Sequence, residues 1–360
     1  MVDKLVLEYN DQMAFHPGVY IQDSLDDLDM TQRELATRLD TSAKNVSEIV
    51  NGLKSVNPKM ALNLSKVFKV DSQTWLNLQA KYDALKMEIE QNEHIKEQIP
   101  LLSHIDYTKL VKLGIVAKHR KGEDKIKELC KIFKIASLDV LKEREIAINF
   151  RATELEKESH VINTNLWIEM VTLKASKELP LEFNKEILEN SISYLRSLTN
   201  EEPALFIPEI TRTLREAGIH FILMPSLKNA KPKGMVMWRD GKITLAMSNK
   251  GKYADMFWFT FFHEIGHILM HPTKNFIELD GKSVREKEAD TFARNTLIPD
   301  VEYNDFTTGG DFSFTSINAF AESMGINPTI VIGRLQNDNI IPYYHFTDKK
   351  AKYTWAFEKD

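Results

Sequence analysis

The segment FWFTFFHEIGHILMH, residues 257–271, sets two histidines and a glutamate inside a run that otherwise reads as a buried helix. Phe257, Phe261, Phe262, Ile265, Ile268 and Leu269 recur at helical spacing and would seat that helix in a core. On a helix, positions four apart lie one turn along on the same face, so His263 and His267 aim two imidazoles at one point. Zinc accepts neutral imidazole, and a catalytic site keeps one of its roughly four positions open for water. Glu264 stands in the H-E-x-x-H spacing, where a carboxylate takes a proton from the attacking water and delivers it to the leaving amine. Gly266 permits another backbone to approach closely. Three fixed positions in five also arise by chance, so the motif needs support from elsewhere in the chain.

A third ligand must come from another element. SVREKEADTFARNTLIP, residues 283–299, predicts a second helix with Ser283 as N-cap, acids in its first turns and Pro299 after its end. Glu286 and Asp290 share a face, whereas Glu288 points about 200° away from Glu286, so only one of the two glutamates reaches a common metal. A solvated acidic face suits Glu288 better. His271 continues the histidine row one turn further and is expected beside the metal shell or at the surface.

HEIGH followed by EKEADTFARNTLIP resembles the ImmA/IrrE family of zinc metallopeptidase-like proteins, and the likeness extends back through DMFWFTFFHEIGHILMH. The family pattern Glu-x-x-Ala-Asp/Asn-x-Phe-Ala maps onto Glu286, Ala289, Asp290, Phe292 and Ala293. The resemblance therefore implies His263, His267 and Glu286 as ligands of Zn2+, with Glu264 as catalytic base. Upstream, GIHFILMP (218–225) has strand composition, and GMVMWRDGKITLAMS (234–248) predicts two strands around the Asp240-Gly241 turn. In zinc peptidases of this type a small sheet packs on the metal helix, and its edge strand takes substrate in extended form. His220, Tyr343, Tyr344 and His345 are candidates for an oxyanion donor, and none is assigned.

At the other end, TQRELATRLDTSAKNVSEIVNG (31–52) spaces Leu35, Ala36, Leu39, Val46, Ile49 and Val50 for two short helices sharing a core. A tight turn at Asp40-Thr41 and a cap at Ser42 complete a helix-turn-helix layout, whose second helix enters the major groove of DNA. Lys44 and Asn45 are expected to meet base edges; Gln32, Ser42, Ser47, Asn51 and Lys54 suit phosphates or the groove wall. Residues 31–69 hold seven basic and three acidic side chains, a basic patch on a chain of net charge −5. The stretch from HPG at 16–18 through SEIVNG to WLNLQ at 75–79 resembles HigA-type antitoxins of the Cro/cI helix-turn-helix class. The family usually has Gly in the turn; Asp40 replaces it and tolerates the left-handed conformation better than most residues.

Between the two ends, residues 80–205 are charged, glycine-poor and helical in pattern, with a long helix predicted over 81–99 and an amphipathic one over 121–135. SINAFAESMGINPTIVIGRLQND (316–338) predicts two short helices that mimic a second helix-turn-helix but belong to the end of the peptidase-like part. The single cysteine, Cys130, excludes an internal disulfide framework and reads as a buried small apolar residue. No apolar run reaches membrane-spanning length and the first residues have no secretory pattern, so a cytoplasmic protein without a membrane partner is expected.

The expected fold is mostly α with a small α+β domain: a helix-turn-helix bundle over 1–80, a helical connecting segment over 81–205, and a zincin-like metallopeptidase domain over 206–360. The expected function is an antitoxin-like transcriptional regulator. It would bind double-stranded operator DNA, such as its own promoter, as a homodimer, and its zinc domain would cleave or sense a protein toxin or other protein substrate. Two alternatives stand: a repressor whose idle zinc domain serves dimerisation or sensing, and a peptidase whose bundle only holds a protein substrate. The intact Glu264 argues against an idle site.

Overall fold

The computed structural model describes residues 5–143, 154–179, 181–239, 241–271 and 284–355. The chain divides into two compact units, Met1–Ile99 and Pro100–Asp360. Among the described residues no helix is long and apolar enough to cross a membrane.

The first unit opens with an antiparallel hairpin, β1 (Val6–Tyr9) and β2 (Gln12–Phe15). Its turn residues Asn10 and Asp11 both have positive φ, 48° and 59°, the twist that two-residue hairpins require. Five helices follow: α1 (Pro17–Asp27), α2 (Gln32–Arg38), α3 (Ala43–Val50), α4 (Pro58–Phe68) and α5 (Ser72–Glu97). Each start carries its own cap. His16 Nδ1 accepts from Gly18 N, and Thr31, Ser42, Asn57 and Asp71 accept from the first turns of the next four helices. The six apolar residues predicted to share the helix-turn-helix core are all buried, joined by Ile21, Leu25, Leu64 and Trp75. Asp40 turns the chain between α2 and α3 at φ 52°, and Asn63 on α4 donates to the Leu39 carbonyl at 3.0 Å. Gly18 has no room for a side chain: a Cβ would fall 2.6 Å from the Val50 carbonyl oxygen and closer still to that of Ile49. The HPG sequence thus lets α1 dock on the end of α3. The long helix predicted from residue 81 begins earlier, at Ser72, because Trp75, Gln79 and Tyr82 are buried along it as one stripe.

In the second unit α6 (Tyr107–Lys112), α7 (Gly122–Phe133), α8 (Val140–Glu143), α9 (Glu154–Ala175), α10 (Lys185–Ser197) and α11 (Pro203–Glu216) precede a three-stranded sheet. Cys130 on α7 is half-buried and not part of the sealed core expected of it. The strands are β3 (Ile219–Met224), β4 (Gly234–Arg239) and β5 (Lys242–Ser248) in the order β3-β5-β4, with β3 parallel and β4 antiparallel to the central β5. The expected hairpin forms; its turn residue Asp240 lies outside the described residues. Alternation gives the sheet two faces. Val236, Ile243, Leu245 and Met247 join the core around α12 (Ala254–Met270), while Met237 meets Thr172 of α9 on the other side.

After α12 come α13 (Val284–Leu297), α14 (Asp300–Gly309), α15 (Phe314–Met324) and α16 (Pro328–Asn337). Ser283, the expected cap of α13, lies outside the described residues. The C-terminal segment clamps the start of α12: Tyr353 N donates to the Lys252 carbonyl, and Trp258 Nε1 to the Tyr353 hydroxyl, both at 2.8 Å.

Candidate metal centre and nucleic-acid interface

Helix α12 is apolar almost all round, with Phe257, Trp258, Phe261, Phe262 and Ile265 buried between the sheet and the neighbouring helices. One row of it carries His263 and His267, and the adjoining row Thr260 and Glu264. Helix α13 runs antiparallel to it and comes very close, because the contact is made of small residues. A Cβ on Gly266 would sit 3.2 Å from the Ala289 Cα, and Ala289 and Ala293 are fully buried. This approach lets a short carboxylate on α13 reach the histidines.

Glu286 is that carboxylate. Its Oε2 lies 3.2 Å from His263 Nε2, its Oε1 3.1 Å from His267 Nε2, and the two imidazole nitrogens are 3.0 Å apart. These three residues offer ligand atoms all within 4.8 Å of one another, the one such group of three or more among the described residues. Zinc bonds of about 2.0–2.1 Å in tetrahedral geometry hold their ligand atoms roughly 3.3 Å apart. Both the donor types and the spacing therefore fit one such ion.

Without a metal the cluster is held together as a pair of opposite charges. Burial would lower the His263 pKa, but the hydrogen bonds the ring donates to Asp290 and Glu286 outweigh it and raise it to about 10. Burial would raise Glu286, but the two histidines bring it down to about 2. Glu286 thus stays ionised, while His263 has to give up a proton before its Nε2 can take a metal. Behind it, His263 Nδ1 donates to Asp290 Oδ1 at 2.8 Å, which fixes the ring and leaves Nε2 for the metal. Sequence reasoning placed Asp290 on the right face but gave it no role; its spacing of four from Glu286 was the signal.

Glu264 is buried beside this cluster, and the backbone of Gly234 passes directly against it. A Cβ at 234 would fall 2.6 Å from Glu264 Oε1. This makes β4 the edge strand nearest the site. His271 contacts Glu288 and the Arg285 carbonyl, each at 3.3 Å, so it ties the end of α12 to α13. His220 pairs in register with Thr244, on the sheet face away from α12, and its Nε2 meets the Leu179 carbonyl at 2.7 Å. It cannot serve as an oxyanion donor here.

In the first unit α3 turns Val46, Ile49 and Val50 inward and leaves Lys44, Glu48 and Asn51 on its outer side. Lys44 is 84% exposed and only 3.8 Å from Glu48, a loose pair. Ser42 spends its hydroxyl oxygen on the Asn45 backbone N–H, and Asn45 is half-buried, its side-chain amide donating to Thr41 Oγ1 at 3.0 Å. Asn45 thus lies at the flank of the helix and Lys44 at its front. Asn51 donates to the Ser47 carbonyl, Gln32 to Gln22, and Lys54 is exposed just past the helix end.

Two family profiles match, one per unit: helix-turn-helix over residues 21–75 and IrrE N-terminal-like domain over residues 216–313. The chain is 37% identical over 79 residues to the HTH-type transcriptional regulator YddM of Escherichia coli K12, which is 21% of this chain and 84% of the relative. The N-terminal unit belongs to the helix-turn-helix transcriptional regulators. The chain is also 46% identical over 69 residues to virulence-associated protein A′ of Dichelobacter nodosus. That match takes in 19% of this chain and spans 60% of the length of that relative. Among solved structures it is similar to an addiction module antidote protein of a HigA family from Coxiella burnetii. The identity is 33%, with 23% of this chain and 92% of that one covered and a TM-score of 0.22. The helix-turn-helix regulator unit is thus joined in one chain to a segment that matches the IrrE N-terminal-like domain profile and contains His263, Glu264, His267 and Glu286.

Proposed function

We propose that this chain is an antitoxin-like DNA-binding regulator carrying its own zinc metallopeptidase, with the N-terminal unit reading an operator and the C-terminal domain cleaving a protein partner. The observation that supports this most directly is the convergence of His263, His267 and Glu286, with Glu264 beside them, on a chain whose other unit is a helix-turn-helix regulator. The working parts in this reading are a DNA reader over 1–80, a helical connector over 81–205 and a peptidase domain over 206–360. It acts in the cytoplasm as a homodimer, because a lone helix-turn-helix buries too little surface for tight specific binding, and two copies read half-sites one turn apart. The operator is that of its own promoter, and a small protein toxin is the partner class that an antitoxin-like reader suggests.

When bound, Zn2+ would polarise the scissile carbonyl and ease deprotonation of the attacking water. The protein's own groups do the rest. Glu264 accepts the water's proton and passes it to the leaving amine from its buried position beside the ligands. Asp290 keeps the His263 ring oriented. The β4 edge offers backbone N–H and C=O groups to an extended peptide passing over Glu264. On the DNA side Lys44 approaches base edges from the front of α3, while Ser47, Asn51 and Lys54 lie along the path of the phosphates.

Elemental analysis with paired variants tests the peptidase reading. Wild type is expected to hold one zinc per chain, Glu286→Gln to lose it, and Glu264→Gln to keep it while losing cleavage of the partner. Cleavage that survives Glu264→Gln removes it as base. Footprinting on the chain's own upstream DNA tests the reader: Lys44→Ala should lose sequence preference. Protection indistinguishable from random DNA would make the bundle a protein-contact module.

A further inference from the structure

The rows that build the metal centre do not end there. On α12, His267, His263, Phe259 and Asp255 follow at intervals of four; on antiparallel α13, Glu286, Asp290 and Arg294 do the same, with Ile298 just past its end. His267 faces Glu286 and His263 faces Asp290, so the next turn along, about 6 Å further, brings Phe259 and Arg294 together. There the groove between the helices widens into a cavity of about 290 Å³, closed on its third side by α16. The sheet makes the same step: Gly234 lies against Glu264, and its neighbour Lys233 stands on the cavity rim. Three elements thus lead from the catalytic groups into one pocket within a turn or a single residue.

The pocket is lined by several charged side chains, and those inside it already sit in ion pairs, although Asp255 Oδ1 and Arg334 Nε have no hydrogen-bond partner. Asp255 pairs with Lys350 at 2.6 Å, Arg294 holds Asp338 through two bonds of 2.9 Å, and Arg334 holds Asp300 at 2.5 Å. Between these pairs the pocket presents a guest with an apolar wall of Met256, Phe259, Ile298 and Ile330. A charged guest seated deep in the pocket would have to compete with these pairs for a counter-charge, and breaking a partly buried pair costs more than it returns. Resting on the peptidase reading, we propose that this cavity is the specificity pocket of the site, and that it takes a bulky uncharged apolar side chain from a residue flanking the cleaved bond.

Amino-acid hydroxamates test this without turnover, since the hydroxamate holds zinc and the side chain probes the pocket. Affinities for the zinc-loaded full chain are measured by calorimetry with phenylalanine, leucine, glycine and aspartate hydroxamates. Phenylalanine and leucine hydroxamates are expected to bind about tenfold tighter than glycine hydroxamate or better, as burial of such a side chain implies, and aspartate hydroxamate no tighter than glycine. Asn337→Trp, at an exposed rim position, should remove most of that advantage and leave glycine hydroxamate unaffected. Lys233→Trp, on the opposite rim, should do the same and guards against misfolding of the first variant. Equal affinities for phenylalanine and glycine overturn the pocket and leave the metal reading intact, as does an advantage that survives both tryptophans. If the zinc-loaded protein binds none of the four, its zinc has no open position, and the peptidase reading fails and the pocket with it.

Discussion

Replacing Asp290 should loosen the metal without touching a ligand. Its Oδ1 accepts from His263 Nδ1 at 2.8 Å, within the range of a charge-assisted bond. Such bonds contribute about 1.5–3 kcal/mol net when well shielded. The Asp290 side chain is 51% exposed, so water screens part of the charge, and about 1–2 kcal/mol is the appropriate figure. That corresponds to a loss of roughly 5–30-fold in zinc affinity, overlapping the 10–100-fold range typical of partners behind a ligating histidine. Asp290→Asn keeps an acceptor but removes the charge, so its loss should be the smaller; Asp290→Ala removes both. Competition with a fluorescent zinc chelator at fixed pH measures the affinities, and Glu288→Gln, around the helix, is the control expected to bind zinc as wild type does. If Asp290→Ala binds zinc as tightly as wild type, Asp290 does not hold His263 in the loaded protein and the argument from this hydrogen bond is wrong.

In the metal-free protein His263 is raised from 6.5 to about 10, so its contribution to stability is fully present below pH 6.5 and is lost as pH rises through about 10. Glu286 is lowered from 4.5 to about 2, so its contribution is present above pH 4.5 and is lost as pH falls through about 2. At pH 7 zinc must therefore displace about one proton from His263; calorimetry in buffers of different ionisation enthalpy should detect it, and zinc uptake with no proton release contradicts it. Gly234→Ala should push Glu264 aside and lower turnover of any cleaved substrate while zinc content stays at one per chain; loss of zinc would show that β4 supports the ligands instead. Gly18→Ala should force α1 off the carbonyl end of α3 at a cost of about 1–3 kcal/mol, read as a lower melting temperature of the first unit and weaker operator binding. An unchanged melting temperature would mean that α1 can dock elsewhere.

Much of this protein follows from spacing within a few residues. The core positions of α2 and α3, the left-handed turn at Asp40, the strands around Gly241 and the pairing of His263 with His267 on one face all depend on local periods, which the chain carries in every context. Even the N-terminal hairpin was signalled by Asn10-Asp11 between two short apolar runs, though four-residue strands give too brief an alternation to stand out. What local periods cannot encode is distance between segments. Glu286 sits beside the histidines because Gly266 and Ala289 let two antiparallel helices nearly touch. Gly234, thirty residues before Glu264, reaches it because β4 is the sheet edge laid on α12, and His220 is removed from the site because the pleat turns it to the other face. The pocket beside the metal centre needs α12, α13, α16 and the start of β4 at once. Such meetings are set by how side-chain volumes fill the space between elements, and only the folded chain decides them.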